Sequence, residues 1–552
     1  MSAVLYAAAA LSAMSLAMGT VATTPVNDCP IFGPSFPATF DISSAKTLHN
    51  AKKDFPGQIE DLFSEGYLNK THSVFAIDVF STATNASLYT YYHVGSAMED
   101  TLTAGDFNEH TISRIGSVSK LFTVYSLLAT SGYGIFNDPV TKYIPELSSN
   151  KTTDPLDNIR WEDITVGALA SQQAGIGGAH FLRWMRDEKR PVMPSFQTAI
   201  YSDASFITLG RILERITGLP YDKAIKSALS QPLGLNATGS YKSTDKDINA
   251  VILPGNTNQS SWGYDNQVSA PSGGIYTNLA DLRAIGLSIL NSELLPSTET
   301  RRWMKPHSAT ESPSFLVGAP WEINRLQLPV SPGSDRTRLS DLYTKMGANT
   351  GYSGGFALSS DHGIGYSLLA VGPYAGDERF PLRDIVGSVF LPAAEAAAAE
   401  NAVTNFAGTF VDEKNEQTNL TLVVDDDHPG LRVKSLFEDG ADTRSTVWVS
   451  PVAPGTEYVV RLYPTNSSPA TTSLHPVKGR VSMAFRSRRE TLPLKTHTKP
   501  AIGRGIFMDD CITWFVTGFA ENLDEFVFEI VDGRVESVRR SFSGSVFKRV
   551  DG

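Results

Sequence analysis

Cysteine is almost missing from these 552 residues: there are two, Cys29 and Cys511. No His-Glu-x-x-His pattern and no close Cys/His cluster with metal-ligand spacing occurs, so a metalloenzyme is not expected and no metal or cofactor motif is found. Lys and Arg are absent before position 46, and no basic run of five or more occurs anywhere. With 47 basic against 58 acidic residues and a net charge of −11, binding to nucleic acid or an anionic membrane surface is not expected. Past the N-terminal stretch nothing approaches the ~18 consecutive apolar residues that a membrane span requires. Internal repeats and low-complexity tails are absent too.

What remains is an ordinary globular composition, 41% hydrophobic, 10% aromatic and 19% charged. The length exceeds the ~250–300 residues at which single cores stop growing, so at least two domains are expected. Val4 to Ala22 is uncharged and Ala-rich, and Thr20-Val21-Ala22 places small residues where a signal peptidase needs them. A cleaved signal over 1–22 and a secreted product follow; the alternative is an uncleaved anchor or a buried helix. In an oxidising compartment Cys29 and Cys511 read as one disulfide, against two unrelated buried thiols. Asn-x-Ser/Thr sequons at Asn69, Asn85, Asn150, Asn236, Asn258, Asn419 and Asn466 suit a glycosylated secreted protein.

Along the chain, 23–45 reads as an extended lead-in and about Ser44 to Ser64 as a helix, followed by strands Val74–Phe80 and Ser87–Tyr92. Helices are expected from Ser117, after Thr165, through Phe206–Thr217, and behind Thr277-Asn278 to about Leu290, with Asp281 placed to cap the last. Strands return at Gly354–Ser359 and Gly365–Val371, so the sheet of an α/β (α+β) domain should pair its first and last strands. The Ala-rich run Pro392–Ala399 reads as a closing helix. Beyond about Thr404, short alternating runs (Leu420–Val424, Thr446–Val449, Tyr458–Leu462, Phe526–Ile530) between turn residues predict a small antiparallel barrel or sandwich. The domains are thus 23–403 and 404–552.

One segment carries chemistry. In Arg114-Ile-Gly-Ser-Val-Ser-Lys-Leu-Phe-Thr, Ser117 and Lys120 stand one helical turn apart on one face. A Ser hydroxyl is a weak nucleophile that needs a base within reach. Val118, Leu121, Phe122, Val124, Leu127 and Leu128 would bury this helix centrally, and burial disfavours the charged form of lysine, which would let Lys120 accept a proton. Ser-x-x-Lys also occurs at Ser43, Ser148, Ser243 and Ser545, but only Ser117 opens a long apolar helix after Gly.

Gly116-Ser-Val-Ser-Lys-Leu-Phe-Thr123 resembles the active-site box of class C β-lactamases, DD-peptidases and related esterases of the serine β-lactamase and penicillin-binding-protein superfamily. Tyr201-Ser202-Asp203 with its trailing helix resembles that superfamily's Tyr-x-Asn box, and Lys345-Met346-Gly347, ahead of Gly351-Tyr352-Ser353, resembles its Lys-Thr-Gly box. With an all-β domain behind, the whole resembles fungal secreted β-lactamase-like proteins. The resemblance implies a β-lactamase/transpeptidase-like fold and an acyl-enzyme mechanism on a small-molecule or peptide-like acyl substrate. Ser117 would be the nucleophile, Lys120 and Tyr201 would share the proton transfers, and Lys345 would hold a substrate carboxylate or tune the Tyr201 phenol. The N–H groups of Ser117 and Ala348, beside Gly347, would form an oxyanion hole worth about 3–4 kcal/mol per donor.

Two departures bear on the substrate. Asp203 replaces an Asn that normally helps bind an amide, and as an acceptor-only carboxylate beside two lysines it would pair with them and repel anions. Met346 replaces a hydroxyl-bearing residue. The substrate expected is an ester, lactone, thioester or amide, the first three favoured over a β-lactam, with hydrolysis, acyl transfer to an acceptor, and an inactive binding protein of the same fold as the readings to separate. Gly351-Tyr-Ser-Gly-Gly355 also matches the Gly-x-Ser-x-Gly nucleophile elbow, which requires a helix immediately after the serine; the text that follows reads instead as a β-hairpin.

Overall fold

A computed structural model describes residues 29–38, 40–148, 154, 156–178, 189–243, 247–265, 267–448, 457–465, 479–491, 513–518 and 522–550. Strand β1 (Val74–Ser81) is buried on both faces and sorts its side chains with period two. Phe75, Ile77 and Val79 join the apolar layer of helix α1 (Lys46–Ser64), whereas Ala76 and Phe80 join a second layer on the opposite face. That face also carries Asp78, which is paired with Arg283 at 2.6 Å.

Strand β2 (Ala86–Val94) lies at one edge of the sheet, and β3 (Ser308–Ala309), β4 (Phe315–Val317), β5 (Glu322–Pro329), β6 (Thr337–Asn349), β7 (Tyr352–Ser359) and β8 (Ile364–Val371) complete it. The antiparallel order is β2-β1-β8-β7-β6-β5-β4-β3, so the first and last long strands are neighbours, Val74 opposite Val371. Helix α2 (Ser119–Ser131) runs through the helical half of the domain, and every residue from Ser119 to Leu128 is buried. Each large apolar side chain there contributes about 1.5–3 kcal/mol by leaving water. Around it stand α3 (Val166–Ala170), α4 (Asp203–Thr217) and α5 (Leu279–Leu290). The side chain of Asn278, not Asp281, caps α5, accepting from the Asp281 N–H at 2.8 Å. The Asp281 carboxylate instead accepts from Ala237 N and Thr238 Oγ1 and anchors a neighbouring loop.

The closing helix, α6 (Ala375–Asn405), begins well before the Ala-rich run and continues through Pro381 and Pro392. Its Leu382, Val386 and Phe390 pack on the sheet with α1, while Ala398 and Ala402 pack into the core of the following β domain. That domain comprises β9 (Gly408–Asp412), β10 (Asn415–Val424), β11 (Leu431–Glu438), β12 (Ala441–Asp442), β13 (Tyr458–Pro464), β14 (Arg480–Thr491), β15 (Glu525–Val531), β16 (Arg534–Arg540) and β17 (Val546–Arg549). A β10–β11 pairing closes the ring β10-β9-β17-β16-β15-β14-β13-β11 into a barrel, which removes the free edges. Of the expected strand Thr446–Val449, Val449 lies outside the described residues, and Thr446, Val447 and Trp448 are not a strand. Arg444–Val447 is a turn of 3-10 helix that buries Val447, and Arg540 donates to Thr446 Oγ1 at 2.7 Å.

No described helix is long and apolar enough to cross a membrane. Residues 1–22, Cys511, Asn150 and Asn466 lie outside the described residues. Asn85, Asn236 and Asn258 are exposed, and Asn69 and Asn419 are half-buried.

Candidate active site

The chain enters α2 through a tight turn at Gly116–Val118, with Gly116 at φ +52°. A β-carbon on Gly116 would lie 2.4 Å from the Ala348 N, and one on Gly347 would lie 2.4 Å from the Ser117 N. Both glycines are therefore required by the approach of β6 to the serine. That approach puts the backbone of Ala348 beside Ser117, and both residues line a cavity of about 400 Å³ with Asp203, Ser272, Gly273 and Asn349.

Two side chains converge on Ser117. Tyr201 OH donates to Ser117 Oγ at 2.6 Å, and Lys120 Nζ donates to the same oxygen at 3.1 Å. Lys120 is fully buried, and its other donors go to Asp203 Oδ1 at 2.6 Å and the Ser272 carbonyl at 2.8 Å. The third position on Nζ is the one that faces Ser117. Asp203 is the first residue of α4, but the cap is Ser202, which accepts from Ser205 N at 3.0 Å. The Asp203 carboxylate is thus left for Lys120, one of the two lysines foreseen.

Lys345 reaches the site from β6. Its Nζ donates to Glu322 and, at 2.8 Å, to the Met346 carbonyl, and it lies 5.5 Å from the centre of the Tyr201 ring. Lys120 stands over the same ring at 4.8 Å. Burial opposes the charge on Lys345, but Glu322, Tyr201 and Asp203 together outweigh it and hold its pKa above the ordinary lysine value. No hydrogen bond joins Lys345 directly to the Tyr201 hydroxyl among the described residues.

Two residues escaped the sequence reading. Glu322, on β5, accepts from Lys345 through one oxygen and from Met346 N at 2.9 Å through the other. Gln172, at φ +63°, accepts from Ile200 N with its carbonyl (2.8 Å) and from Ser202 N with its side chain (2.7 Å). It therefore clamps Tyr201 from both sides. Neither belongs to a motif, and only the sheet register and a loop contact bring them in. Ser353 of the rival elbow lies within β7, fully buried and with no hydrogen-bond partner for its hydroxyl among the described residues. A strand, not a helix, follows the turn after it, which removes the elbow reading.

A family profile described as Beta-lactamase matches residues 82–388, more than half of the chain. The chain belongs to the beta-lactamase family. A second profile, described as Beta-lactamase-like-like, C-terminal domain, matches residues 398–551 of this beta-lactamase family member. It is 25% identical over 472 residues to a "Beta-lactamase-like protein" of Arthroderma benhamiae, covering 76% of this chain and 75% of that one. It is 26% identical over 430 residues to "Probable hydrolase M10" of a Phoma species, covering 70% and 69%. Among solved structures, the octameric penicillin-binding protein homologue from Pyrococcus abyssi aligns over 90% of this chain and 99% of that one, at 16% identity and a TM-score of 0.46. The antiparallel sheet flanked by helices, followed by an all-β barrel, is the fold this family membership implies.

Proposed function

We propose that this beta-lactamase-like protein is a serine hydrolase that forms an acyl-enzyme at Ser117 from a neutral ester, lactone or thioester. The observation that carries the reading is the pair of proton-transfer groups on one oxygen, Tyr201 OH at 2.6 Å and Lys120 Nζ at 3.1 Å. In the first step Ser117 Oγ attacks the acyl carbonyl and its proton passes to Tyr201 or Lys120. The N–H groups of Ser117 and Ala348 receive the developing oxyanion. The bond to the leaving group then breaks, and the departing oxygen or sulfur takes that proton. Water repeats the sequence on the acyl-enzyme, giving the acid and restoring the serine. An acceptor alcohol or amine in place of water would make the protein an acyltransferase.

Asp203, which holds Lys120 at 2.6 Å, disfavours an anionic acyl group beside the serine. Secretion with a cleaved 1–22 signal, a Cys29–Cys511 disulfide and N-glycosylation belong to the same reading. The deciding experiment incubates the secreted form and its Ser117→Ala variant with activated esters, a fluorophosphonate and a β-lactam, then reads intact mass. Adducts on the wild type alone support Ser117 as nucleophile. Equal labelling of both, or labelling of neither, overturns the assignment in favour of the binding-protein reading.

A further inference from the structure

Glu322 is spent in an unusual way for a carboxylate at the edge of a reactive site. One oxygen takes the Lys345 ammonium and the other takes the N–H of Met346 at 2.9 Å, so it grips a lysine and the backbone that follows it. Lys345 is buried, and it also donates to the Met346 carbonyl at 2.8 Å. Two of its three N–H donors are thereby taken, and its charge is already offset by the Glu322 carboxylate. The same Glu322 carboxylate acts on Arg379 of α6, a second cation in this neighbourhood. On the other flank Asp203 occupies Lys120 at 2.6 Å. Arg114, on the cavity's far wall, gives one guanidinium nitrogen to the carbonyls of Ser261 and Tyr264.

We propose that Glu322 is a specificity-determining residue, an internal counter-ion that fills the place of a substrate carboxylate at Lys345 and restricts the site to acyl groups that carry none. An anionic acyl group would have to displace a carboxylate held by two hydrogen bonds, or sit beside it against like-charge repulsion. A neutral acyl group meets no such cost. The proposal rests on the Ser117 acyl-enzyme reading and adds to it the residue that sets the charge of the acyl group.

The test compares 4-nitrophenyl butyrate with 4-nitrophenyl hemisuccinate, which differ by one carboxylate, on the wild type, Glu322→Gln, and Glu322→Gln combined with Lys345→Met. The wild type should prefer the butyrate by about tenfold or more in kcat/KM, and Glu322→Gln should raise the hemisuccinate-to-butyrate ratio by about tenfold. Removing Lys345 as well should return the ratio to the wild-type value. A ratio unmoved by Glu322→Gln overturns the proposal even if both rates fall, because a purely structural role would lower them together. Should the variants not fold, the wild type is titrated with phenylboronic acid and 3-carboxyphenylboronic acid. Equal affinities overturn the proposal, and tighter binding of the neutral acid supports it. Failure of the wild type to take a fluorophosphonate is a different result, and sinks the serine reading itself.

Discussion

Lys120 Nζ lies 2.6 Å from Asp203 Oδ1, so the residue one helical turn from the serine is the inner half of an ion pair whose outer half opens to the cavity. Asp203→Asn keeps the shape, removes the charge and adds an N–H donor. A donor aimed into the cavity discriminates for amide carbonyls by the hydrogen bond it makes. The ratio of β-lactam to ester acylation at Ser117 should therefore rise about tenfold, read as burst-phase adduct mass. An unchanged ratio would mean that the carboxylate does not set the preference for esters.

Tyr201→Phe removes the hydroxyl 2.6 Å from Ser117 Oγ and nothing else. Acylation by an activated ester should fall about 10²–10⁴-fold, the usual range for a proton-transfer group. The ring is half exposed, so the melting temperature should stay within a degree or two of the wild type, about 0.5 kcal/mol. Ser353→Ala deletes a buried hydroxyl without a hydrogen-bond partner among the described residues and should leave both acylation and melting untouched. Loss of labelling in that variant alone would bring the elbow back.

Much of this site was legible because helical spacing is local: Ser117 and Lys120 meet through the turn that leads into α2, and β1 reads as a strand directly from its β-branched and aromatic text. Tyr201, Asp203 and Lys345 came through resemblance, since sequence distance alone says nothing about which loops converge. Glu322 could not be read, because its role depends on the β5–β6 register that puts Glu322 opposite Thr344. Gln172 was hidden for a similar reason, as its effect runs through the backbone of another loop. The sequence reading began the closing helix at Pro392, whereas α6 runs on from Ala375 through Pro381 and Pro392, because burial of Leu382, Val386 and Phe390 outweighs the lost helical hydrogen bonds. Thr446–Val449 alternates like a strand, but Thr446 and Val447 belong to a short turn beneath Arg540.

The glycine pair at the serine makes a prediction about close approach. Gly347→Ala puts a methyl 2.3 Å from the Ile115 carbonyl, a contact that backbone must move to relieve. Ester turnover should drop by at least about 10²-fold, with a stability loss of about 1–3 kcal/mol from overpacking. Gly57→Ala is the control. It lies within α1 with open space around it, and should stabilise by about 0.5–1 kcal/mol without touching turnover. Equal behaviour of the two variants in a melt would remove the steric argument for Gly347.

The last prediction concerns pH and the buried charges that join the lead-in segment to α6. Glu395 accepts from Arg338 Nη2 at 2.6 Å, from His362 Nε2 at 2.7 Å and from Ser35 Oγ at 2.7 Å. Burial pushes its carboxyl upward, but Arg338 and His362 outweigh burial and hold the pKa well below the carboxylate range. A folded pKa below the unfolded one gives stability that is present above the unfolded value, about 4.3, and lost as pH falls beneath it. Arg338→Met removes the larger opposing charge and leaves burial in control, so the folded pKa should rise above the unfolded one. The variant should then be destabilised by about 3–5 kcal/mol at neutral pH, with a buried carboxylate short of its partner. Because that penalty is relieved by protonation, the gap between wild type and variant should narrow as pH falls from 7 toward 5. Urea midpoints measured from pH 4.5 to 8 check both the size and the slope. A gap that is flat across that range, or smaller than about 1 kcal/mol, would show that Glu395 does not depend on Arg338 for its charge.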